Sequence, residues 1–315
     1  MDTFKQLSIT YNPDDDTIDR LVTIPCTTTN HHNSLPNQQI FTHDIPLNSS
    51  HKTSLRLYKP INPPLHAKLP LVVFIHGGGF LFASPFNTIY NDFCTSMAIS
   101  LGVVVLSVGY RLAPESRLPA AYEDALEALT WVRDQADNIL LKDMVDFSNC
   151  YLMGDSAGGN IVYHAGLRAL SINLEPLVIK GYIFIQPFFG GMKRTESEVR
   201  LADDKILSSV VSDLLWELGL PKGSDRDHEY CNPMVGGGFS DKIELLTRCF
   251  LVALGGDLLV DRQKEFMKML EEKGVEVVSW FEDEGCHGMF LFEPEKALHL
   301  FEVIKDFIYQ PMPTV

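Results

Sequence analysis

Cysteine is scarce in this sequence, and no two cysteines lie close together. Six of them are spread over 315 residues, and the chain contains no CxxC pair. The spacing gives no sign of a redox motif, a disulfide framework or a cysteine zinc site. They are Cys26, Cys94, Cys150, Cys231, Cys249 and Cys286. A chain of this length can bury a core that is stable without cross-links, so we expect free thiols in a reducing compartment.

An excess of positive charge, a long apolar run and a leader-like segment are also missing. The chain has 26 basic and 41 acidic residues, for a net charge of −15. An acidic surface repels nucleic acid and anionic membranes. No apolar run reaches the roughly 18 residues that a membrane span needs, and the first ten residues, MDTFKQLSIT, lack the apolar segment of a secretory signal. We expect a cytoplasmic protein that binds neither nucleic acid nor membranes.

The sequence does contain six short apolar runs from residue 71 onward. They read LVVFIH, VVVLSVGY, CYLMG, IKGYIFIQP, CFLVALGG and VEVVSWFE. Strands that are buried on both faces have this composition, and such strands belong to parallel sheets. Segments in which apolar residues recur at helical spacing separate most of the runs. The alternation predicts an α/β fold with an open, mostly parallel, doubly wound sheet and helices on both faces.

Two polar segments do not fit this alternation. Residues 192–235 have a helical pattern but no buried strand, and residues 1–60 are broken by Pro, Asn and Thr, apart from the stretch TSLRLYKP, which alternates like a half-exposed strand. Insertions of this kind often cover the site of an α/β enzyme. We therefore predict a single domain over residues 1–315, with a cap built from about 1–50 and 192–235.

The third apolar run leads directly into the stretch MGDSAGGN. Here Gly154, Ser156 and Gly158 form a GxSxG pattern between a predicted strand and a predicted helix. This is the setting of a nucleophile elbow, in which small residues permit a turn so tight that the serine hydroxyl projects above the sheet. The start of a helix also favours an anion. The alternative is a glycine-rich turn with an incidental serine.

A serine nucleophile needs a base, and on this scaffold the base follows both the serine and the acid along the chain. His299 lies in a predicted surface helix, and His228 lies among charges in the inserted segment. His287 follows the sixth run in a glycine-flanked loop, where the side chains at the ends of parallel strands converge. We predict His287 as the base, against the alternative of an ordinary polar loop histidine.

The acid is expected just past a strand, between the serine and the histidine. Asp257 directly follows the fifth run, CFLVALGG, and Asp261 lies one helical turn later. A carboxylate at the position of Asp261 is also explained by the first turn of the next helix, where the helix dipole stabilises it. We therefore predict Asp257 as the acid and give Asp261 a supporting role.

Ester or amide chemistry at a serine also requires N–H donors for a developing oxyanion. The stretch HGGGF, after the first run, offers the N–H groups of Gly78 and Gly79, and the residue after the serine, Ala157, offers a third. A phosphate-binding loop is the alternative, but GGG lacks the Lys-Ser/Thr of a P-loop and the spacing of GxGxxG. No group of His, Asp and Glu has the spacing of a metal site, so we predict no metal.

Taken together, these stretches resemble a known family. HGGGF, YRLAPESRLPAAYEDALEAL, GDSAGGN and HG, in this order, are similar to the hormone-sensitive-lipase branch of the α/β-hydrolases, and in particular to plant carboxylesterases. The resemblance implies an α/β-hydrolase core of about eight strands with a helical cap, and ester hydrolysis without a cofactor. Its motifs match Ser156, Asp257, His287 and the glycine loop Gly77–Gly79.

Three positions depart from the family pattern. Gly109 stands where Asp usually precedes YRLAPE, Leu258 stands where Pro usually follows the acid, and Cys286 stands where an aromatic residue often precedes the histidine. Some plant members act as a gibberellin receptor that lacks the histidine, and others are cyclases or lyases of specialised metabolism. His287 argues against the receptor, whereas the cyclase or lyase stays open.

Aromatic residues near the predicted site loops complete the expectation. Individually each fits core packing, but as a group they suggest an apolar acyl or alcohol pocket. The predicted substrate-binding residues are Gly77, Phe80, Phe82, Phe188, Phe189 and Trp216. The sequence thus predicts a serine carboxylesterase that acts on short-chain or acetyl esters of small specialised metabolites. We expect no cofactor, a small-molecule ester as partner, and a monomer or weak homodimer.

Overall fold

The structure, a computed structural model, describes residues 3–29, 39–61, 68–138 and 140–310. The strands are β1 (Ile9–Asn12), β2 (Thr17–Arg20), β3 (Ile40–Asn48), β4 (Thr53–Pro60), β5 (Leu69–Ile75), β6 (Val104–Gly109), β7 (Val145–Asp155), β8 (Ile179–Ile185), β9 (Cys249–Leu254) and β10 (Val277–Glu282). The helices are α1 (Thr3–Gln6), α2 (Thr88–Leu101), α3 (Ala120–Asp134), α4 (Ala157–Ala169), α5 (Glu196–Arg200), α6 (Ser209–Gly219), α7 (Val260–Glu272), α8 (Met289–Phe292) and α9 (Pro294–Tyr309). Short 3-10 helices span Pro233–Val235 and Ser240–Leu245.

Eight strands form one sheet in the order β10-β9-β8-β7-β5-β6-β4-β3. The six strands from β10 to β6 are parallel, and β4 and β3 are antiparallel to their neighbours. The six parallel strands coincide with the six apolar runs, so the predicted α/β fold is confirmed. The chain passes from β5 to β6 on one side and returns to β7 on the other, which creates a crevice at the carboxyl ends of β5 and β7.

Helices cover both faces of this sheet. Successive side chains of a strand point to opposite faces, so on β5 Val72 and Phe74 pack in the cluster that contains α2 and α9. Leu71, Val73 and Ile75 pack in the other cluster, with α3 and α4. No helix within the described ranges combines the length and the apolar character that a bilayer crossing requires.

Strand β4 is more buried than its alternating sequence indicates. Leu55, Leu57 and Tyr58 are fully buried, and so is Arg56. The face expected to be exposed is covered, because α2 packs against β4. The Arg56 guanidinium is tolerated there because the Asp44 carboxylate on β3 accepts two hydrogen bonds from it, at 2.6 and 2.8 Å.

The predicted cap range 1–50 contains part of the core sheet. Strand β3, Ile40–Asn48, is the edge strand and pairs antiparallel with β4, so this part of the range does not belong to a cap. Residues 1–2 and 30–38 of that range lie outside the described residues. Residues 3–29 comprise α1 and the β1–β2 hairpin, and α1 packs against α6 of the inserted segment 192–235.

Candidate active site

Ser156 lies at the sharp turn between β7 and α4. Its φ of +51° is rare for a residue with a side chain, and its hydroxyl makes no capping bond to the helix. The turn needs glycine on either side, because a Cβ on Gly154 would lie 2.4 Å from the carbonyl carbon of Gly158. A Cβ on Gly158 would lie 1.9 Å from the carbonyl oxygen of Ile75 on β5. The backbone therefore presents the Ser156 hydroxyl at the crevice.

Loops from three different strands bring Ser156, His287 and Asp257 together. His287 Nε2 lies 2.8 Å from Ser156 Oγ, and His287 Nδ1 lies 2.9 Å from Asp257 Oδ2. The Asp257 carboxylate is completely buried, and the histidine is 8% exposed. Because an ionised carboxylate only accepts hydrogen bonds, Nδ1 carries the proton and Nε2 is free to accept one from the serine.

The charges of the pair stabilise each other. Burial lowers the pKa of His287, but the neighbouring Asp257 carboxylate and its hydrogen bond outweigh burial and raise that pKa above its usual value. Burial likewise raises the pKa of Asp257, but the interaction with His287 and N–H donors from Leu259 and Gln263 bring it below its usual value. The geometry therefore favours an ionised Asp257 beside a histidine that readily takes up a proton.

The other acid and histidine candidates have different partners. Asp261 lies in the first turn of α7, and its Oδ2 accepts the N–H of Ser197 at 2.7 Å. It therefore ties the inserted segment to the core and does not contact His287. His228 accepts a hydrogen bond from a neighbouring backbone N–H, and His299 is exposed on α9.

The predicted oxyanion donors border the same crevice. Gly78 and Gly79 have φ of +100° and +61°, which glycine adopts without strain, and both line the cavity next to Ser156. Within the described chain, no group of the protein accepts a hydrogen bond from the N–H groups of Gly78, Gly79 or Ala157. Leu215 of α6 packs so closely on Gly79 that a Cβ there would lie 2.6 Å from Leu215 Cδ1.

Gly77 has a different place from the one predicted, because it does not line the cavity. Its N–H donates to Asp155 Oδ1 at 2.9 Å and approaches the Tyr90 hydroxyl at 3.0 Å. The Tyr90 hydroxyl in turn donates to Asp155 Oδ2 at 3.0 Å, and burial raises the pKa of Asp155 to about 6. Gly77 therefore anchors the glycine loop to the serine turn.

A cavity of about 350 Å³ opens above Ser156 and His287. Of the predicted aromatic residues, Phe82 and Phe188 line it, whereas Phe80, Phe189 and Trp216 do not. The indole of Trp216 is fully buried and packs against Phe80 and Phe188, with ring centroids 5.2 and 4.6 Å away. These three aromatics are buried in the core and do not border the cavity, so the structure does not bring them to the site.

The rest of the apolar wall comes from residues that sequence reasoning did not select. Most are aliphatic side chains of the N-terminal and inserted segments, and only the helical pattern of α6 offered a signal for them. They are Leu7, Ile24, Ile206, Leu207, Val211 and Leu215. Two buried glutamines at the acid, Gln186 and Gln263, were also missed, since a single glutamine carries no recognisable spacing.

The three departures from the family pattern are accommodated locally. A Cβ on Gly109 would lie 3.0 Å from the Pro85 ring and 3.1 Å from the Ser54 carbonyl, so a larger residue at this strand end would require its neighbours to shift by a few tenths of an ångström. Leu258 is buried, and its carbonyl accepts the Ser197 hydroxyl at 2.8 Å. The Cys286 carbonyl accepts a hydrogen bond from the Gln186 side chain. A cysteine at this position leaves the His287–Asp257 contact intact.

Among the residues that the structure describes, the fold also gathers a His/Asp/Glu group that the sequence spacing did not indicate. Potential ligand atoms of His51, Asp124 and Glu127 lie within 4.8 Å of one another. The Asp124 carboxylate already accepts the Arg111 backbone N–H and guanidinium, at 2.7 to 3.0 Å, and Glu127 accepts the Asn48 amide at 2.8 Å. The group is a network of ion pairs and hydrogen bonds between α3 and the main sheet.

Known proteins are similar to this chain in sequence and in fold. Residues 72–291 match the family described as the alpha/beta hydrolase fold. A 3-O-acetylpapaveroxine carboxylesterase of Papaver somniferum is 44% identical over 98% of this chain and 99% of its own length. A carboxylesterase of Arabidopsis thaliana is 43% identical over 98% and 97%. The structure of an esterase from Pyrobaculum calidifontis superposes with a TM-score of 0.72 at 28% identity, over 87% of this chain and 85% of that one.

The chain therefore belongs to the alpha/beta hydrolase family. Within that family it is similar to plant carboxylesterases over almost its whole length. The predicted resemblance, the predicted fold and the predicted enzyme class, a carboxylic ester hydrolase, are confirmed.

Proposed function

We propose that the protein hydrolyses carboxylic esters through an acyl-enzyme formed on Ser156. The observation that carries the proposal is the continuous relay from Ser156 Oγ to His287 to Asp257, with contacts of 2.8 and 2.9 Å. In the first step His287 Nε2 takes the proton of Ser156 Oγ while that oxygen attacks the ester carbonyl carbon. Asp257 orients the ring and stabilises the imidazolium.

The charge that develops on the carbonyl oxygen is stabilised by backbone donors. The N–H groups of Gly78, Gly79 and Ala157 have no acceptor within the described chain, which supports their assignment to this oxyanion. When the tetrahedral intermediate collapses, His287 gives its proton to the leaving alkoxide. Water then enters, loses a proton to His287 and attacks the acyl group, so that the acid is released and Ser156 recovers its proton.

The cavity walls favour a small neutral ester. No Lys or Arg is among the described residues that line it, and the Asp155 carboxylate at its base is already occupied by Gly77 and Tyr90. A charged acyl group would therefore lose its hydration without gaining a partner. The size of the cavity and the acetyl ester in the name of the Papaver relative support acetyl or short-chain esters of small metabolites.

Inserted and N-terminal residues complete this assignment. We propose that residues 3–29 and 192–235 act as the cap, since α1 contacts α6 and both segments supply cavity walls.

A cyclase or lyase would use the same site without an acyl-enzyme, whereas a binding protein would not need the relay. The cytoplasmic location and the monomer or weak homodimer stay predictions from the sequence.

The test is an ester assay with matched substrates and variants. We expect Ser156→Ala to lower kcat for p-nitrophenyl butyrate by about 10³-fold or more, while the exposed-serine control Ser49→Ala keeps the wild-type rate. The monosuccinate ester, which differs by a terminal carboxylate, should have a kcat/KM at least about tenfold lower because its charge is desolvated without a partner. Full activity of Ser156→Ala would contradict the mechanism, and equal use of both esters would contradict the substrate class.

A further inference from the structure

Two buried glutamines donate to the same carboxylate oxygen as His287. Gln186 follows β8 and Gln263 lies on α7, and the two are 1% and 0% exposed. Their Nε2 atoms lie 2.8 and 2.9 Å from Asp257 Oδ2, which also accepts His287 Nδ1–H at 2.9 Å. Since an ionised carboxylate accepts only, the amide orientation of both glutamines is fixed by chemistry.

Gln186 makes two further contacts that Gln263 does not make. Its Nε2 also donates to the Cys286 carbonyl at 3.1 Å, and its Oε1 accepts the Gly288 N–H at 3.0 Å. These two backbone groups belong to the residues on either side of His287. The Oε1 of Gln263, by contrast, is buried without a hydrogen-bond partner in the described chain. Of the two glutamines, Gln186 is therefore the one that connects the acid to the backbone of the loop that carries the histidine.

The backbone of Gln186 is held in an unusual conformation. Its φ is +45°, which is uncommon for a residue other than glycine, and its N–H donates to the Val252 carbonyl on β9 at 2.9 Å. Such conformations persist where the surrounding structure over-determines them, and they cluster at functional sites. Here the conformation directs the side chain out of the end of β8 and across to Asp257 and the His287 loop.

We propose that Gln186 is a positioning residue that holds Asp257 and the backbone on both sides of His287 in one arrangement, so that His287 Nε2 stays directed at Ser156 Oγ. The proposal rests on the esterase function proposed above. Without the Gln186 side chain, the backbone of the loop 286–288 loses the two hydrogen bonds that this side chain makes to it. A displacement of the histidine by an ångström or less is sufficient to lower the rate of proton transfer strongly.

Removing a donor from Asp257 also changes the charge that His287 experiences. Each N–H bond to Oδ2 spreads the negative charge of the carboxylate, so losing one leaves more charge facing the imidazole and favours the imidazolium. Among the described residues, the acidic groups Asp257, Asp155 and Asp204 raise the pKa of His287. The change should therefore move the acid limb of kcat/KM to higher pH, for Gln186 and Gln263 alike.

The experiment compares Gln186→Met with Gln263→Met, which removes the carboxylate bond alone. Gln135→Met, in the turn after α3, serves as a remote control. Steady-state rates with p-nitrophenyl acetate are measured from about pH 5 to 9, and near-ultraviolet circular dichroism verifies the fold. We expect kcat of Gln186→Met to fall about 10- to 100-fold, with KM changed less than about twofold. Gln263→Met should shift the acid limb in the same direction but lose about threefold in kcat.

Equal kcat values for the two variants, or a wild-type kcat in Gln186→Met, would overturn the proposal. If Gln186→Met does not fold, Gln186→Ala replaces it, because it removes the same contacts to Asp257, Cys286 and Gly288 with a side chain too small to clash. Loss of folding in both variants would indicate that Gln186 serves stability alone, and this result would also overturn the proposal. Failure of the esterase function itself is distinguishable, since wild-type protein would then show no hydrolysis that depends on Ser156.

Discussion

Replacing Asp257 by Asn tests the assignment of the acid, because an amide cannot accept all the hydrogen bonds that the carboxylate accepts. Four N–H donors point at the Asp257 carboxylate. They are His287 Nδ1, Gln186 Nε2 and Gln263 Nε2 at Oδ2, and the backbone N–H of Leu259 at Oδ1. An asparagine has one acceptor oxygen, so its NH₂ group would face at least one of these donors. The imidazolium that forms during catalysis would also lose the anion that bonds directly to its Nδ1–H.

The expected magnitude follows from these two losses. Where a buried carboxylate of this kind is replaced by its amide, the wrong tautomer and the missing charge together lower kcat by about 10³- to 10⁴-fold. That corresponds to about 4–5.5 kcal/mol of transition-state stabilisation. The assay is kcat for p-nitrophenyl acetate at pH 8, with the fold verified by circular dichroism.

Asp261→Asn is the matched control, since it removes a carboxylate four residues away. Asp261 accepts the Ser197 N–H and has no contact with His287, so we expect less than about a threefold loss of kcat. If Asp257→Asn keeps its activity while Asp261→Asn loses it, the acid has been assigned to the wrong aspartate. The reasoning from chain order and geometry would then be refuted.

Two further predictions concern the pH profile and the packing beneath the pocket. Protonated His287 cannot accept the serine proton, and its pKa is raised by Asp257. We therefore expect kcat/KM to fall as the pH drops through a midpoint above the usual histidine value of about 6.5, and a midpoint below that value would contradict this. Trp216→Ala should lower the free energy of unfolding by about 3–5 kcal/mol, because the indole is fully buried against Phe80 and Phe188. Urea denaturation measures the loss, and Val210→Ala on the exposed side of α6 should stay within about 0.5 kcal/mol of wild type.

The parallel strands were predictable because their composition reflects burial on both faces. All six apolar runs became β5 to β10, and the residues placed at their carboxyl ends converge on one crevice. Ser156 and His287 could be selected because each is flanked by glycines, and Asp257 because it directly follows a run. Each of these signals lies within a few residues of the position it marks, so it can be recognised without knowledge of the tertiary structure.

Long-range packing determined what the sequence did not indicate. Strand β3 contains no long apolar run and became part of the sheet only through its pairing with β4. Phe80 and Trp216 were assigned to the pocket by their position near site loops, but they pack with each other beneath it. The residues that the Gln186 side chain contacts lie 71 and about 100 positions away in the sequence, and no motif of fixed spacing covers such a separation.

Trapping the acyl-enzyme tests the central claim most directly, because a cyclase or lyase would turn over substrate without one. Wild-type protein mixed with excess p-nitrophenyl acetate is quenched in acid within milliseconds and digested, and the peptide that contains Ser156 is analysed by mass spectrometry. The relay of Ser156, His287 and Asp257 predicts an acetyl group on Ser156, which is absent in Ser156→Ala and decays at the rate of deacylation. Turnover that depends on Ser156 without any acylated intermediate, or an acetyl group on another residue, would contradict the account.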